Sequence, residues 1–164
     1  MFFKTISYLI FLLKSTNQHG VHSPFVYQFV TNGLYQKRKK DTISIKYPAL
    51  KSLKGREKKV LSNIIQYFNI NKISFDFKDF TENLDKEYHV FFLKLSDDLI
   101  LPPLDHLTSK HFVIVSDIYK NKKTNVKWQE IIKKEAATVT VNLFYFGIIF
   151  FRKEQAKEHF NIRV

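Results

Sequence analysis

FVIVSD, residues 112–117, is a run of β-branched and aromatic residues that ends in two polar ones. A short apolar run with a polar exit predicts a fully buried strand. A lysine-rich segment with one tryptophan follows, and residues 124–135 are predicted to form a helix. Residues 139–143 then alternate and residues 144–151 are nearly all apolar, which predicts two more strands, at 139–143 and 146–152. Together these elements predict one half of an α/β sheet.

Two further strands and a helix are predicted upstream of this stretch. Residues 73–77 alternate between apolar and polar, which is typical of an edge strand with one polar face. Residues 88–95 hold a continuous apolar run and are predicted to be a central strand. An amphipathic helix is expected over residues 56–68, and Asn69 is expected to end it in a left-handed conformation.

Two smaller features near the end of the chain also carry predictions. Gly147 interrupts the final apolar run, which predicts a bend or bulge where the last strand begins. Residues 154–160 are expected to form a short surface helix. The chain has no internal repeat.

The composition indicates one globular domain with a basic surface. The chain has 164 residues, of which 45% are hydrophobic, and this suffices for a core. It has no cysteine, which excludes disulfides, thiolate zinc sites and cysteine nucleophiles and agrees with the expected cytoplasmic location. The formal net charge is +12, which favours nucleic acid or anionic lipid as partners, although a solvated lysine-rich surface is the plainer interpretation. The candidate anion-binding residues are Lys37, Arg38, Lys39, Lys40, Lys54 and Arg56.

The first 14 residues predict an amphipathic helix. Its apolar residues fall on one helical face, and they are Phe2, Phe3, Ile6, Leu9, Ile10 and Leu13. The run is shorter than the ~20 apolar residues that span a bilayer, so no transmembrane segment is expected. The helix is expected to dock on the domain or on a protein partner. Attachment to a membrane surface is the alternative and is not the expected role.

HGVHSPFV, residues 19–26, is the most distinctive stretch of the chain. Ser23 is suited to cap a helix that begins at Pro24, because proline at the first helical position loses no hydrogen bond. His19 and His22 are either acid–base or ligand groups or structural turn histidines. Because no carboxylate cluster or third histidine stands nearby in the sequence, structural histidines are favoured.

Three stretches together resemble one protein family: residues 19–26, the buried strand and its exit at 113–119, and FFRKEQAKEHF at 150–160. They are similar to class I methyltransferases that use S-adenosylmethionine, and specifically to a bacterial group with an N-terminal HGVHSPFV segment. The resemblance implies a Rossmann-like sheet of seven strands in the order 3-2-1-4-5-7-6, with the cofactor over the carboxyl ends of strands 1, 2 and 4. The five strands predicted here match strands 1, 4, 5, 6 and 7 of that sheet.

Strands 2 and 3 are then missing, which leaves a shortened sheet in the order 1-4-5-7-6 behind an N-terminal helical extension. The predicted division is an extension at 1–36, a basic linker at 37–55 and the α/β domain at 56–164, all in one structural unit. Only residues 79–87 would join strands 1 and 4, whereas a parallel crossover needs at least ~10–12 residues. This connection is therefore predicted to be very compact, or the pair not to be parallel.

The resemblance also implies where the cofactor and the catalytic groups would lie. The glycine-rich cofactor loop falls on Phe75, Asp76 and Phe77, whose side chains obstruct the close approach of backbone and ligand. The acid after strand 4 is replaced by Lys94, and one of the two acids after strand 5 remains as Asp117. Asp117 and His22 are therefore the catalytic candidates.

Other kinds of site find little support in the sequence. Asp97, Asp98 and Asp117 would suit an oxygen-ligand metal site, but isolated surface carboxylates are the favoured interpretation, and no metal ion is expected. The chain contains no P-loop, no nucleophile elbow and no HExxH motif.

The predicted function is that of a degenerate methyltransferase-like protein without cofactor binding or methyl transfer, kept as a binding or scaffold protein or as the product of a decaying gene. Such a scaffold is expected to meet a protein partner or a second copy at the exposed sheet edge or at the N-terminal helix. Two alternatives stay open. The chain is an active methyltransferase with an atypical S-adenosylmethionine site, or it is a basic protein that binds nucleic acid or an anionic surface through residues 37–59.

Overall fold

The computed structural model describes residues 2–37, 46–82, 88–96, 98–99 and 103–164, and the structural statements below concern these residues. The predicted site residues Arg38, Lys39 and Lys40 lie outside them, and so does Asp97.

The described chain is a mixed α/β structure built around a six-stranded, mostly parallel sheet. The strand order is β1-β2-β3-β5-β4-β6, and β5 runs antiparallel to both of its neighbours while the other pairs are parallel. The strands are β1 (Ile73–Ser74), β2 (His89–Lys94), β3 (His111–Ser116), β4 (Val139–Asn142), β5 (Phe146–Phe150) and β6 (Glu158–Asn161). The five predicted strands stand in the predicted order, and the sheet has one more strand than predicted.

The α-helices are α1 (Phe2–Lys14), α2 (Pro24–Gln28), α3 (Gly55–Tyr67), α4 (Phe77–Glu82) and α5 (Lys122–Lys133). A π-helical turn, Phe29–Leu34, extends α2. The predicted cap of α2 is confirmed, because Ser23 Oγ accepts a hydrogen bond from the Val26 amide at 3.4 Å. Within the described ranges, no helix combines the length and the apolar character of a membrane span.

Apolar side chains pack on both faces of the sheet, so the domain has three layers. On one face the π-helical turn and α3 place Phe29 and Leu61 in a core with Phe112 of β3. On the other face α4 and α5 place Phe80 and Trp128 in a second core. Burial of such large side chains contributes most of the stabilisation, at about 1.5–3 kcal/mol for each.

The first strand is shorter than predicted. Only Ile73 and Ser74 pair with β2, and α4 then begins at Phe77. The reason is a helix cap, since Asp76 Oδ1 accepts a hydrogen bond from the Asp79 amide at 3.1 Å and so favours a helix over a longer strand. The crossover to β2 consequently uses residues 75–88, which is long enough for the parallel pairing that the structure has.

The prediction of a surface helix at 154–160 is wrong, because these residues lead into β6. This strand pairs in parallel with β4, from Val139 opposite Glu158 to Asn142 opposite Asn161. Asn142 Nδ2 donates to Asn161 Oδ1 at 2.8 Å, which is a cross-strand bond that a helix would not offer.

The prediction of a bulge at Gly147 is also wrong. This glycine lies in regular register on β5, opposite Val115 on one side and Asn142 on the other. The indole of Trp128 lies where a side chain at this position would stand. Glycine is therefore needed for close approach of the helix to the strand.

The two most distinctive stretches of the sequence meet in space. Gln155 Nε2 donates to Ser23 Oγ at 2.9 Å, and the Arg152 guanidinium lies 4.2 Å from the centre of the Phe25 ring. The Phe25 ring also makes an edge contact with Phe150 at 4.9 Å. The HGVHSPFV segment and the FFRKEQAKEHF tail thus pack against each other and hold α2 on the sheet.

Candidate functional site

A cleft of about 270 Å³ lies at the carboxyl edge of the parallel strands. Ligands of open α/β sheets bind characteristically at this edge. The cleft is bounded by α1, by the start of α3, by the ends of β2 and β3 and by the loop between β4 and β5. Its charged residues are Lys4, Lys54, Lys94, Lys120, Glu57 and Asp117.

Strand register brings the central charges of the cleft together. Lys94 pairs with Ser116 at the end of β2 and β3, so Asp117 follows directly at the same edge. Asp117 has a left-handed backbone with φ of 63°, which aspartate tolerates better than most residues, and its carbonyl accepts a turn hydrogen bond from Lys120. Lys94 Nζ lies 3.9 Å from Asp117 Oδ2, and an exposed pair of this length stabilises the fold by less than about 1 kcal/mol.

Both carboxylates of the cleft already have partners. Glu57 Oε2 accepts a hydrogen bond from the Lys54 amide at 2.7 Å, which closes the first turn of α3. Asp117 faces Lys94. Among the described residues no carboxylate forms an ion pair with Lys4, Lys54 or Lys120. The cleft therefore has an excess of positive charge and suits an anionic ligand.

Aromatic side chains form the other wall of the cleft. The Tyr119 ring stacks on Phe144 with centroids 4.7 Å apart, and Tyr8 of α1 meets the same Phe144 ring edge-on at 4.8 Å. Burial raises the pKa of Tyr119, whose hydroxyl accepts a hydrogen bond from Asn142 Nδ2 at 2.8 Å. Tyr119 is therefore a neutral structural group at physiological pH.

A second basic pocket of about 420 Å³ lies beside the next turn of α3. Its cationic residues are Lys37, Arg56, Lys59 and Arg163. Arg56 joins the two pockets, because its Nη1 donates to the hydroxyl of Tyr145 on the wall of the first one at 3.1 Å. We call Lys54, Arg56 and Lys59, together with Lys37 and Arg163, the basic stripe.

The three residues of the expected cofactor loop have structural contacts of their own. Phe75 lies with its ring 6.0 Å from that of Tyr47 and 5.8 Å from that of Phe92. Phe77 packs against Phe91 at 5.7 Å on the other face of the sheet. Asp76, between them, caps α4. Each of these three residues thus has a structural role.

The structure does not bring the two catalytic candidates together. Asp117 lies at the carboxyl end of β3, in the cleft. His22 is exposed and precedes Ser23, whose neighbours Gln155 and Phe25 lie at the amino end of the strands. The length of β3 separates the two ends, which is about 15–20 Å at ~3.3 Å per residue. His19 is exposed as well, and its amide donates to Asn17 Oδ1 in the turn, in keeping with a structural histidine.

A partly buried polar cluster beside β1 contains the residue types of a hydrolytic site, and its hydrogen bonds give it a structural role instead. Ser74 Oγ lies 2.5 Å from Asp79 Oδ2 and 2.9 Å from His89 Nε2, and Lys72 Nζ lies 2.6 Å from Asp79 Oδ1. The bonds from Lys72 and Ser74 lower the pKa of Asp79. Ser74 has one hydroxyl proton and donates it to the carboxylate, so His89 is a donor to Ser74 rather than its base. The cluster therefore fastens α4 to the sheet.

The described residues contain no group of three or more histidine and carboxylate side chains that would hold a metal ion. Asp98 and Asp117 are described, but the third member of the predicted alternative, Asp97, is not.

Sequence reasoning identified Lys54 and Asp117 of the cleft and Arg56 of the second pocket, but it missed Lys4 and Lys120 of the cleft. Lys120 follows the buried strand 112–116, so the rule that ligands bind beyond the carboxyl ends of strands would have found it. Lys4 has no such signal, because its place depends on how α1 docks against Phe144.

Comparisons of the chain with protein-family models, with curated proteins and with solved structures give no match. The resemblance to class I methyltransferases thus rests on the three stretches quoted above.

Proposed function

We propose that this chain is a methyltransferase-like binding protein that neither holds S-adenosylmethionine nor transfers a methyl group. The observation that carries the proposal is the segment after β1, where the resemblance implies a glycine loop. Phe75 and Phe77 are packed against neighbouring rings there, and Asp76 caps α4. Side chains thus stand at all three positions where the resemblance implies glycine, and they obstruct the close approach of a cofactor to the backbone.

The catalytic candidates support the same proposal. A methyl acceptor needs a base or an orienting group next to the methyl donor. Asp117 faces Lys94 in the cleft, and His22 lies at the other end of the strands. The surviving candidates therefore do not form one catalytic site.

A thermal melt with and without S-adenosylmethionine tests the proposal. A ligand at 100 times its dissociation constant adds ~2.7 kcal/mol to the free energy of unfolding. For a chain of this size that corresponds to a rise of roughly 5–10 °C in Tm. We expect no rise. S-adenosylhomocysteine is the matched second ligand, because it lacks the positive charge that the basic protein would repel. A concentration-dependent rise with either ligand would contradict the proposal and favour the active methyltransferase.

The basic stripe favours a second candidate function, the binding of single-stranded nucleic acid. Lys54, Arg56 and Lys59 are exposed on the first turns of α3, and Arg56 connects the stripe to the aromatic wall of the cleft. Surfaces that bind single strands usually combine two components: cationic side chains along the path of the phosphates, and aromatic rings on which the bases stack.

Fluorescence anisotropy with a labelled oligonucleotide tests this candidate. We expect the logarithm of the binding constant to fall with the logarithm of salt concentration, with a slope of about −3 for four to five phosphate contacts. The variant Lys54→Gln/Arg56→Gln/Lys59→Gln should flatten this slope. The matched control removes three exposed lysines of α5, Lys122, Lys123 and Lys133, and should bind more tightly than the stripe variant. Equal losses in both variants would indicate a general charge effect and contradict a defined site.

A further inference from the structure

The apolar face of α1 points away from the domain. Five large hydrophobic side chains of this helix are exposed, from Phe2 at 85% and Leu9 at 57% to Leu13 at 87%. The whole set is Phe2, Ile6, Leu9, Ile10 and Leu13, which we call the outer face. The spacing of these residues puts them on one side of the helix. The helix docks on the domain as expected, but it does so through its other side and leaves this face exposed.

The opposite side of α1 is firmly attached. Ser7 and Phe11 are buried, and the rings of Tyr8 and Phe11 lie 4.8 and 5.5 Å from that of Phe144. Directly after the helix, the Thr16 amide donates to the carbonyl of Asn161 at 2.8 Å and so joins the chain to β6. The helix is held with its more hydrophobic side outward, whereas a helix that only covers a core turns that side inward.

The charges around the outer face favour an anionic partner. Residues 1–40 contain no aspartate or glutamate, and Lys14 lies at the end of α1, directly after Leu13 of the outer face. The chain as a whole has a formal net charge of +12. Two copies that met through this face would bring like charges together, whereas a negatively charged surface would attract each of them.

We infer that α1 attaches the protein to the surface of an anionic lipid bilayer, with the outer face among the acyl chains and Lys14 at the headgroups. The helix is about 20 Å long at ~1.5 Å per residue, which is too short to span a bilayer. An amphipathic helix of this kind lies in the plane of the membrane interface. Its apolar side chains supply the insertion, and a basic residue near the membrane surface contributes about tenfold or less in affinity for anionic lipid. This inference goes beyond the proposed function, since it uses neither the cleft nor the basic stripe.

Vesicle flotation of the full chain tests the inference. Phosphatidylcholine vesicles with about 30% phosphatidylserine should carry the protein, and vesicles of phosphatidylcholine alone should carry it several-fold less. The variant Leu9→Ser/Leu13→Ser should lose roughly tenfold or more of the binding, because both side chains leave the acyl region. The matched control is Tyr27→Ser/Val126→Ser, which removes two exposed hydrophobic side chains elsewhere and should bind as the parent does.

A second measurement does not depend on a loss of binding. The natural chain has one tryptophan, Trp128, which is fully buried. In a Phe2→Trp variant a blue shift of fluorescence on addition of the anionic vesicles therefore reports insertion of the new indole.

Three outcomes would overturn the inference. Undiminished binding by Leu9→Ser/Leu13→Ser without a blue shift in Phe2→Trp would mean that basic residues alone adhere to the lipid. A dimer of the parent that Leu9→Ser/Leu13→Ser dissociates, with no flotation, would mean that a second copy covers the face. Absence of both flotation and self-association would leave a protein partner as the occupant.

Discussion

Gly147 shows how a single residue sets the distance between a helix and the sheet. A Cβ on this residue would stand 2.6 Å from Cζ2 and from Cζ3 of the Trp128 ring, and Trp128 is fully buried. Neither the indole nor the central strand β5 has room to move, since packing in a core is close to crystalline. The constraint is one of space, because the glycine is not in the left-handed region.

We predict that Gly147→Ala destabilises the protein by about 1–3 kcal/mol, the usual cost of overpacking a core. The midpoint of thermal unfolding should then fall by roughly 3–10 °C. Gly55→Ala is the matched control, because a Cβ there meets nothing within 4 Å and alanine is the better residue at the start of α3. A Gly147→Ala variant that melts with the parent would mean that Trp128 is free to move.

At the scale of elements, patterns of hydrophobicity predicted most strands of the sheet. They failed where a local interaction, such as a helix cap or an open strand edge, favoured a different structure. The buried runs at 88–95 and 112–116 became β2 and β3, because continuous apolar residues satisfy both faces of a parallel sheet. The alternating residues 73–77 form only a two-residue strand, because the Asp76 carboxylate caps a helix that begins at Phe77. Residues 158–161 have no strong strand pattern, and they pair because β4 offers an open edge.

The residues of the candidate site could be predicted from the sequence only where they lie close together on a single helix or strand. Lys54 and Arg56 are close in sequence, so their shared place at the start of α3 follows from the charge run. The cleft itself joins α1, α3 and the ends of two strands, and no sequence pattern fixes that assembly. The direction of the outer face of α1 was also beyond prediction, because periodicity defines a face without saying what covers it.

The whole molecule has an imbalance of charge that its ion pairs do not relieve. The formal net charge is +12, and the ion pairs found among the described residues include Lys72–Asp79, Lys78–Glu82, Lys94–Asp117 and Arg152–Glu154. Exposed pairs contribute about 0–1 kcal/mol each and weaken with salt. Self-repulsion of the folded state acts over a longer range, and salt screens it too. The balance of the two effects makes the salt dependence of stability informative.

We predict that repulsion dominates, so that Tm rises by a few degrees between ~10 mM and ~150 mM sodium chloride as the Debye length falls from ~30 to ~8 Å. Circular dichroism melts at neutral pH measure the rise. The variant Lys122→Gln/Lys123→Gln/Lys133→Gln has three fewer positive charges on exposed positions of α5, so its Tm should start higher and rise less. A Tm that falls with added salt would mean instead that the ion pairs hold the fold together, and it would contradict the view of this protein as a basic molecule in need of an anionic partner.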